Sequence, residues 1–207
     1  LILHRAISTI STQVDALKQM VNDFREYAKL PQAKLSALDL NNFLSEIAQL
    51  YQEAGTSIKL DFEKNIPLIE GDPAQLRQVL HNLIKNSIDA AEGEDPGIVI
   101  QTRHIVTDSG MNAVQLHLHD NGGGFSENIL NRAFEPYITT KPTGTGLGLP
   151  MVKKILDEHR AVIRLSNRTD SSGSLVYGAQ VDILFEHLAA VGRKDHSSQI
   201  SNYDEQH

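Results

Sequence analysis

The residues best able to do chemistry gather in one stretch, DNGGGFSENILNRAFEPYITTKPTGTGLGL, from Asp120 to Leu149. It contains Asp-Asn-Gly-Gly-Gly at 120–124, Phe-Glu-Pro-Tyr at 134–137 and Gly-Thr-Gly-Leu-Gly-Leu at 144–149. Six of the fourteen glycines fall within it. Ordered glycine costs backbone entropy, so such a cluster implies loops at positive φ, or a backbone that approaches a ligand with no Cβ in the way. The second glycine run leads into an apolar-periodic segment (Leu147, Leu149, Met151, Val152, Ile155, Leu156). Glycines opening a helix place free N–H groups, and the positive end of a dipole, where an anion can sit. The first run follows a strand-like segment and opens on a carboxylate, which suits an acceptor facing a ligand's amino group. A phosphate site and a base acceptor joined by a flexible loop describe a nucleotide pocket.

A second constellation lies upstream. Asp72-Pro73 offers an N-cap followed by proline at the first helical position, so a helix is expected from there to about Glu92. Leu76, Val79, Leu80, Leu83, Ile84, Ser87, Ile88 and Ala91 form its apolar stripe. Asn82, Asn86 and Asp89, at i, i+4 and i+7, share the other face with Lys85 beside them. Two stacked asparagines and an aspartate are an odd choice for plain solvation, because Asn is a mediocre helix former. Short oxygen-bearing side chains suit a hydrated Mg²⁺, which takes few protein ligands and keeps waters and phosphates.

The elements that must position these groups can be read in order. Leu3, Ile7, Ile10, Val14, Leu17, Val21, Phe24 and Ala28 alternate spacings of 4 and 3, a heptad seam that Pro31 stops. This narrow stripe suits a helix built for a bundle or a dimer. There follow an extended Leu38–Leu40, a helix through Phe43, Ile47 and Leu50, a strand Ser57–Phe62 and a short extended Leu68–Glu70. Gly97–Val106 and Asn112–His119 read as a hairpin, with Val114, Leu116 and Leu118 inward. After the glycine stretch come a helix to about His159 and strands Ala161–Asn167 and Gly178–Phe185. Roughly five strands in a mixed sheet with three helices make a two-layer α/β sandwich. The boundaries expected are 1–32 for the bundle helix, 33–188 for the sandwich and 189–207 for a polar, disordered tail.

Composition bounds the partners. A net charge of −7 argues against a general nucleic-acid binder. There is no cysteine, hence no disulfide framework, thiol nucleophile or cysteine-held metal, which fits a reducing, cytoplasmic compartment. The chain begins at Leu1 in mid-pattern without Met, so it is expected to be a fragment. The absence of a P-loop pattern and of a strand followed by Gly-x-Gly-x-x-Gly at the start of a βαβ unit argues against those two nucleotide folds.

Four segments, in this order, resemble the boxes of one family. Asn82-Leu-Ile-Lys-Asn86-Ser-Ile-Asp-Ala is similar to its N box, Asp120-Asn-Gly-Gly-Gly124 to the G1 box, Phe134-Glu-Pro-Tyr137 to the F box and Gly144-Thr-Gly-Leu-Gly148 to the G2 box. These mark the catalytic domain of the sensor histidine kinases of two-component systems. Their GHKL superfamily, with the Bergerat ATP-binding fold, also holds gyrase, MutL and heat-shock chaperone ATPases. The resemblance covers about residues 35–187. Ile7–Pro31 is similar to the second helix of the dimerisation and phosphotransfer bundle, and TQVDALKQMVNDFREYAKLP resembles the nitrogen-regulation, NtrY-type kinases.

The resemblance implies ATP and Mg²⁺ as ligands. Asn86 would coordinate the metal, with Asn82 and Asp89 arranging the phosphate end, Lys85 alongside, and Lys141, on a lid spanning Thr139–Thr143, reaching the γ-phosphate. Asp120 would accept from the adenine amino group, and Gly122 and Gly124 would let the chain pass beneath the base. Phe134, Thr143, Gly144, Thr145, Gly146, Leu147 and Gly148 complete the expected nucleotide contacts. The activity implied is transfer of the ATP γ-phosphate to a histidine of the bundle, for relay to an aspartate of a response regulator receiver domain. Homodimerisation through the bundle helix and a membrane-anchored parent with a cytoplasmic kinase domain are implied with it.

Two departures bear on this. Hydrolytic members carry a Glu one turn before the metal-binding Asn; here that position is Asn82, which cannot take a proton at neutral pH. None of the nine histidines has the acidic neighbour and nearby Asn-Pro of an acceptor site. A GHKL-type ATPase and a non-catalytic ATP-binding scaffold are the alternatives.

Overall fold

The computed structural model describes residues 2–141, 144–171, 173 and 175–189. The chain opens with α1 (Ile2–Ala28), followed by β1 (Ser36–Leu38), α2 (Leu40–Glu53), β2 (Ile58–Phe62), β3 (Ile69–Gly71) and α3 (Pro73–Ala90). Then come β4 (Ile98–Val106), β5 (Asn112–His119), α4 (Glu127–Arg132), α5 (Gly148–Glu158), β6 (Ala161–Thr169) and β7 (Val176–Phe185).

Five strands form one mixed sheet in the order β2-β4-β5-β7-β6. Only β2 and β4 run parallel, through the long crossover that carries α3; the remaining pairs are antiparallel. Alternation decides which face is covered. Ile98, Ile100, Val114, Leu116, Leu118, Val181, Ile183 and Phe185 are buried under the helices. The intervening Gln101, Arg103, His117 and Asp182 pair with polar partners on the other face. α2, α3 and α5 supply the opposing layer, with Phe43, Leu44, Ile47, Leu76, Leu80, Leu83, Ile84, Val152, Ile155 and Leu156 in one core. Each such side chain contributes about 1.5–3 kcal/mol by burial. A charge at fully buried Ile84 would therefore break the α3–sheet contact. This is the expected two-layer α/β sandwich.

Beyond shifts of one or two residues at several strand ends, local signals and the structure differ in three places. The extended segment expected over Leu38–Leu40 ends at Leu38, because Asp39 caps α2 and accepts from the Asn42 N–H at 3.0 Å. α4 was not anticipated: six residues with a single buried side chain, Ile129, are too short to show a period. The sandwich runs on to Ala189, whose N–H donates to the Leu68 carbonyl at 2.9 Å. The rest of the expected tail, 190–207, lies outside the described residues.

Helix α1 presents its heptad seam to solvent. Ile10, Leu17, Val21 and Phe24 are each about half exposed or more. Among the described residues, no helix is long and apolar enough to cross a membrane.

Candidate functional site

The site is built around α3. Asp72 starts the helix: Oδ1 accepts from the N–H groups of Ala74 (2.9 Å) and Gln75 (3.3 Å), and Oδ2 from that of Lys34 (2.8 Å). Burial opposes ionisation of Asp72, yet these three N–H donors together hold its carboxyl below the usual range. The Asp72 N–H donates to Nε2 of buried His159, whose Nδ1–H donates to the Ile155 carbonyl at 2.8 Å. Helix α3 is thereby locked to the end of α5.

One turn of α3 beyond its midpoint, Asn86 and Asp89 converge on a cation. The Lys141 ammonium lies 3.1 Å from Asn86 Oδ1 and 2.8 Å from Asp89 Oδ2. Asn82 is turned elsewhere, its Nδ2 donating to the Gln78 carbonyl at 2.9 Å. Its Oδ1 faces Gly148, where an added Cβ would lie 2.9 Å away. Lys85 is exposed, and its side chain has no hydrogen bond or ion pair among the described residues.

Asp120 immediately follows β5 and is 2% exposed. Its Oδ1 accepts from the N–H groups of Gly122 (2.9 Å) and Ala179 (3.0 Å), and its Oδ2 from the Ser87 hydroxyl (2.7 Å). An ionised carboxylate has about four acceptor positions. Three are taken by the described residues, which leave one on Oδ2. The glycines beside it are sterically required. A Cβ on Gly122 would meet Ala90 Cβ at 2.9 Å, and Gly124, at φ +73°, would meet Val176 at 2.5 Å.

Residues without a motif hold this loop from behind. Arg168 Nη1 donates to the Asp120 carbonyl (3.0 Å) and to Asn121 Oδ1 (2.9 Å), with its guanidinium 4.8 Å above the Tyr177 ring. Asn167 makes a reciprocal pair with the Phe125 backbone, at 2.7 and 2.8 Å. Gly178 lets β7 pass the Asp120 carbonyl, which an added Cβ would meet at 1.9 Å. Of these, Gly178 alone left a trace in sequence, as the glycine that opens an expected strand. Desolvation, and secondarily the Arg168 guanidinium, lower the pKa of neighbouring His119.

The second glycine run meets the Phe-Glu-Pro-Tyr segment. The Tyr137 N–H donates to the Gly146 carbonyl at 3.0 Å, and Gly146 sits at φ +67°, with Tyr137 and Ile138 backbone atoms within 2.7 Å of any Cβ. Phe134 packs half-buried against the core, and Leu147 is fully buried. Leu147 supplies no capping side chain to α5, so among the described residues no side chain caps the first-turn N–H groups of Gly148 and Leu149. The Thr145 hydroxyl donates to Asp23 Oδ2 on α1 at 2.6 Å. Gly144 turns back on Lys141, its N–H bonded to the Lys141 carbonyl at 3.1 Å. Thr143 lies outside the described residues. A separate groove of about 480 Å³ between α1 and α5 is lined by Tyr27, Phe134, Pro150 and Lys154 among others, and contains neither Asn86 nor Asp120.

The class of this protein follows from fold and site together. Residues 71–186, more than half the chain, match the family described as histidine kinase-, DNA gyrase B-, and HSP90-like ATPase, and the chain belongs to that family. It is 28% identical over 182 residues to a Rickettsia prowazekii (strain Madrid E) protein named as an NtrY-like sensor histidine kinase, covering 87% of this chain and 29% of that one. To the sensor histidine kinase ZraS of Escherichia coli (strain K12) it is 32% identical over 184 residues, covering 87% and 38%. It thus spans well under half the length of either relative. The solved complex of histidine kinase ThkA with response regulator protein TrrA is similar in fold, with a TM-score of 0.68 and 25% identity over 89% of this chain and 51% of that one.

Proposed function

We propose that this chain is the ATP-binding catalytic part of a two-component sensor histidine kinase, passing the γ-phosphate of ATP to a bundle histidine for relay to a response regulator. The observation that carries this is the Asp120 carboxylate, buried, fixed by three donors and left with one acceptor position beside a wall of obligatory glycines. That position suits the adenine amino group. Gly122 and Gly124 form the floor under the base, and the Gly144–Gly148 loop with the uncapped start of α5 supplies N–H donors to the phosphates.

Asn86 Oδ1 and Asp89 Oδ2 already bind one cation head between them, so the donor set fits Mg²⁺. When bound, the metal would neutralise phosphate charge. Lys141 would then turn from those oxygens to the γ-phosphate as a mobile cation. Phosphoryl transfer needs little beyond such positioning and charge neutralisation. Asn82 offers no base to activate water, which favours transfer over hydrolysis. The exposed seam of α1 supports pairing with a bundle partner, including a second copy of the chain.

The test is a titration with Mg-ATP, followed by addition of a separate segment carrying a histidine-bearing bundle helix. The chain should bind ATP, form no stable phosphohistidine itself, and phosphorylate the added helix. Absence of ATP binding, or acid-labile phosphate on one of its own nine histidines, would overturn the proposal.

A further inference from the structure

Ser87 stands in the apolar stripe of α3, 3% exposed, immediately after Asn86. A hydroxyl there needs a partner, because a buried polar group left unpaired is costly. Its partner is Asp120 Oδ2, 2.7 Å away. That bond commits the only proton Ser87 has. Oδ1 of the same carboxylate is saturated by two backbone N–H groups, so among the described residues Ser87 is the one side chain that holds Oδ2. Two consequences follow. The carboxylate plane is pinned from both ends, and the pair offers oxygen lone pairs with no hydrogen to give. Such an end wall welcomes an amino group and refuses a carbonyl.

We propose that Ser87 is a specificity-determining positioning residue: by holding Asp120 Oδ2 it aims the carboxylate at the 6-amino group of the purine and withholds any donor from a 6-carbonyl. This rests on the nucleotide-site proposal above. Ser87 acts through Asp120 and takes no part in the transfer of phosphate. In polarising one another, the two oxygens act as a unit.

The experiment compares the whole chain with its Ser87→Ala and Ser87→Cys variants, by equilibrium binding with Mg²⁺ of three triphosphates that differ at position 6 and, for the carbonyl form, in the N1–H that accompanies it. These are ATP (amino), inosine triphosphate (carbonyl) and purine riboside triphosphate (hydrogen). Ser87→Ala should weaken ATP about five- to tenfold. Purine riboside triphosphate should change less than about twofold, because no 6-substituent reports on the aim of the carboxylate. The ratio of ATP to inosine triphosphate affinity should fall. Ser87→Cys, a weaker donor, should lie between, and carries the comparison should Ser87→Ala lack the wild-type circular dichroism and melting. Equal losses on all three nucleotides would show a merely structural role and overturn the inference, as would an unchanged ATP-to-inosine ratio. A wild-type chain that binds none of the three overturns the nucleotide site itself. One that prefers ATP while its variants keep that preference sinks only the role of Ser87.

Discussion

The Thr145 hydroxyl donates to Asp23 Oδ2 at 2.6 Å, tying the glycine loop before α5 to helix α1 across 122 residues of chain. Neighbouring contacts continue the attachment. Gln78 Nε2 donates to Glu26 Oε2 at 3.1 Å, Lys154 Nζ to the Tyr27 carbonyl at 3.0 Å, and the Ala33 N–H to Glu158 Oε2 at 2.8 Å. A carboxylate therefore stands against the loop proposed to receive phosphates. Asp23→Asn keeps an acceptor for Thr145 but removes the charge. Like charges a few ångströms apart near a surface repel by roughly 1–4 kcal/mol. Nucleotide should bind about three- to tenfold tighter to the variant, most clearly at low salt. Unchanged or weaker binding in a titration would refute the repulsion.

The Lys141 ammonium occupies the two oxygens proposed to hold a divalent cation, Asn86 Oδ1 and Asp89 Oδ2, so the proposal makes the two cations competitors. Over a third of each side chain in the Lys141–Asp89 pair is exposed, so the pair adds little to stability. Lys141→Met should leave thermal unfolding nearly unmoved. The Mg²⁺ concentration that half-saturates ATP binding should fall about threefold or more. Phosphorylation of a supplied bundle helix should drop. A higher Mg²⁺ requirement in the variant would show that Lys141 does not compete with the metal.

Stability should fall with pH in two stages. Burial, and then the Arg168 guanidinium, lower the pKa of His119, so the unfolded chain takes up that proton first. The corresponding stability is present above about pH 6.5 and is lost as pH falls toward the folded value. Although burial opposes it, the three N–H donors depress the Asp72 carboxyl. Its contribution is complete above about pH 3.9 and disappears as pH falls through the folded value. Urea melts of His119→Gln should lose the first stage and those of Asp72→Asn the second. Asp72→Ala should also cost about 1–2 kcal/mol at pH 7 through loss of the cap. A single-stage pH profile that neither substitution alters would contradict both assignments.

Gly146 combines φ +67° with backbone atoms of Tyr137 and Ile138 within 2.7 Å of any added Cβ. Gly146→Ala must strain or move that turn, at about 1–3 kcal/mol locally. The loop sits at the edge of the core, so nucleotide affinity should fall at least tenfold while the melting temperature drops by only a few degrees. Wild-type affinity in the variant would show that the turn does not shape the site.

What lay legible in the sequence was whatever neighbouring residues encode. The Asp72-Pro73 start of α3, the alternation of β4 and β5, the heptads of α1 and the glycine runs each constrain a few consecutive dihedrals or one face of one element. They appear in the structure nearly where expected. The apolar stripe even placed Ser87 correctly, on the buried side.

Tertiary structure decided which distant groups meet. Ser87 looked like a small residue filling a stripe; only the approach of β5 to α3 made it the partner of Asp120. Gly178 and the Ala179 N–H reach Asp120 because β7 pairs on one side with β5, distant in sequence, as well as with its neighbour β6 on the other. Arg168 and His159 act from 48 and 87 residues away. Lys141 meets Asn86 and Asp89, while Lys85, one residue from Asn86, points to solvent. Periodicity and capping are properties of a short segment's own backbone. A hydrogen bond between segments exists only once burial of the whole core has fixed their separation, and no local pattern carries that distance.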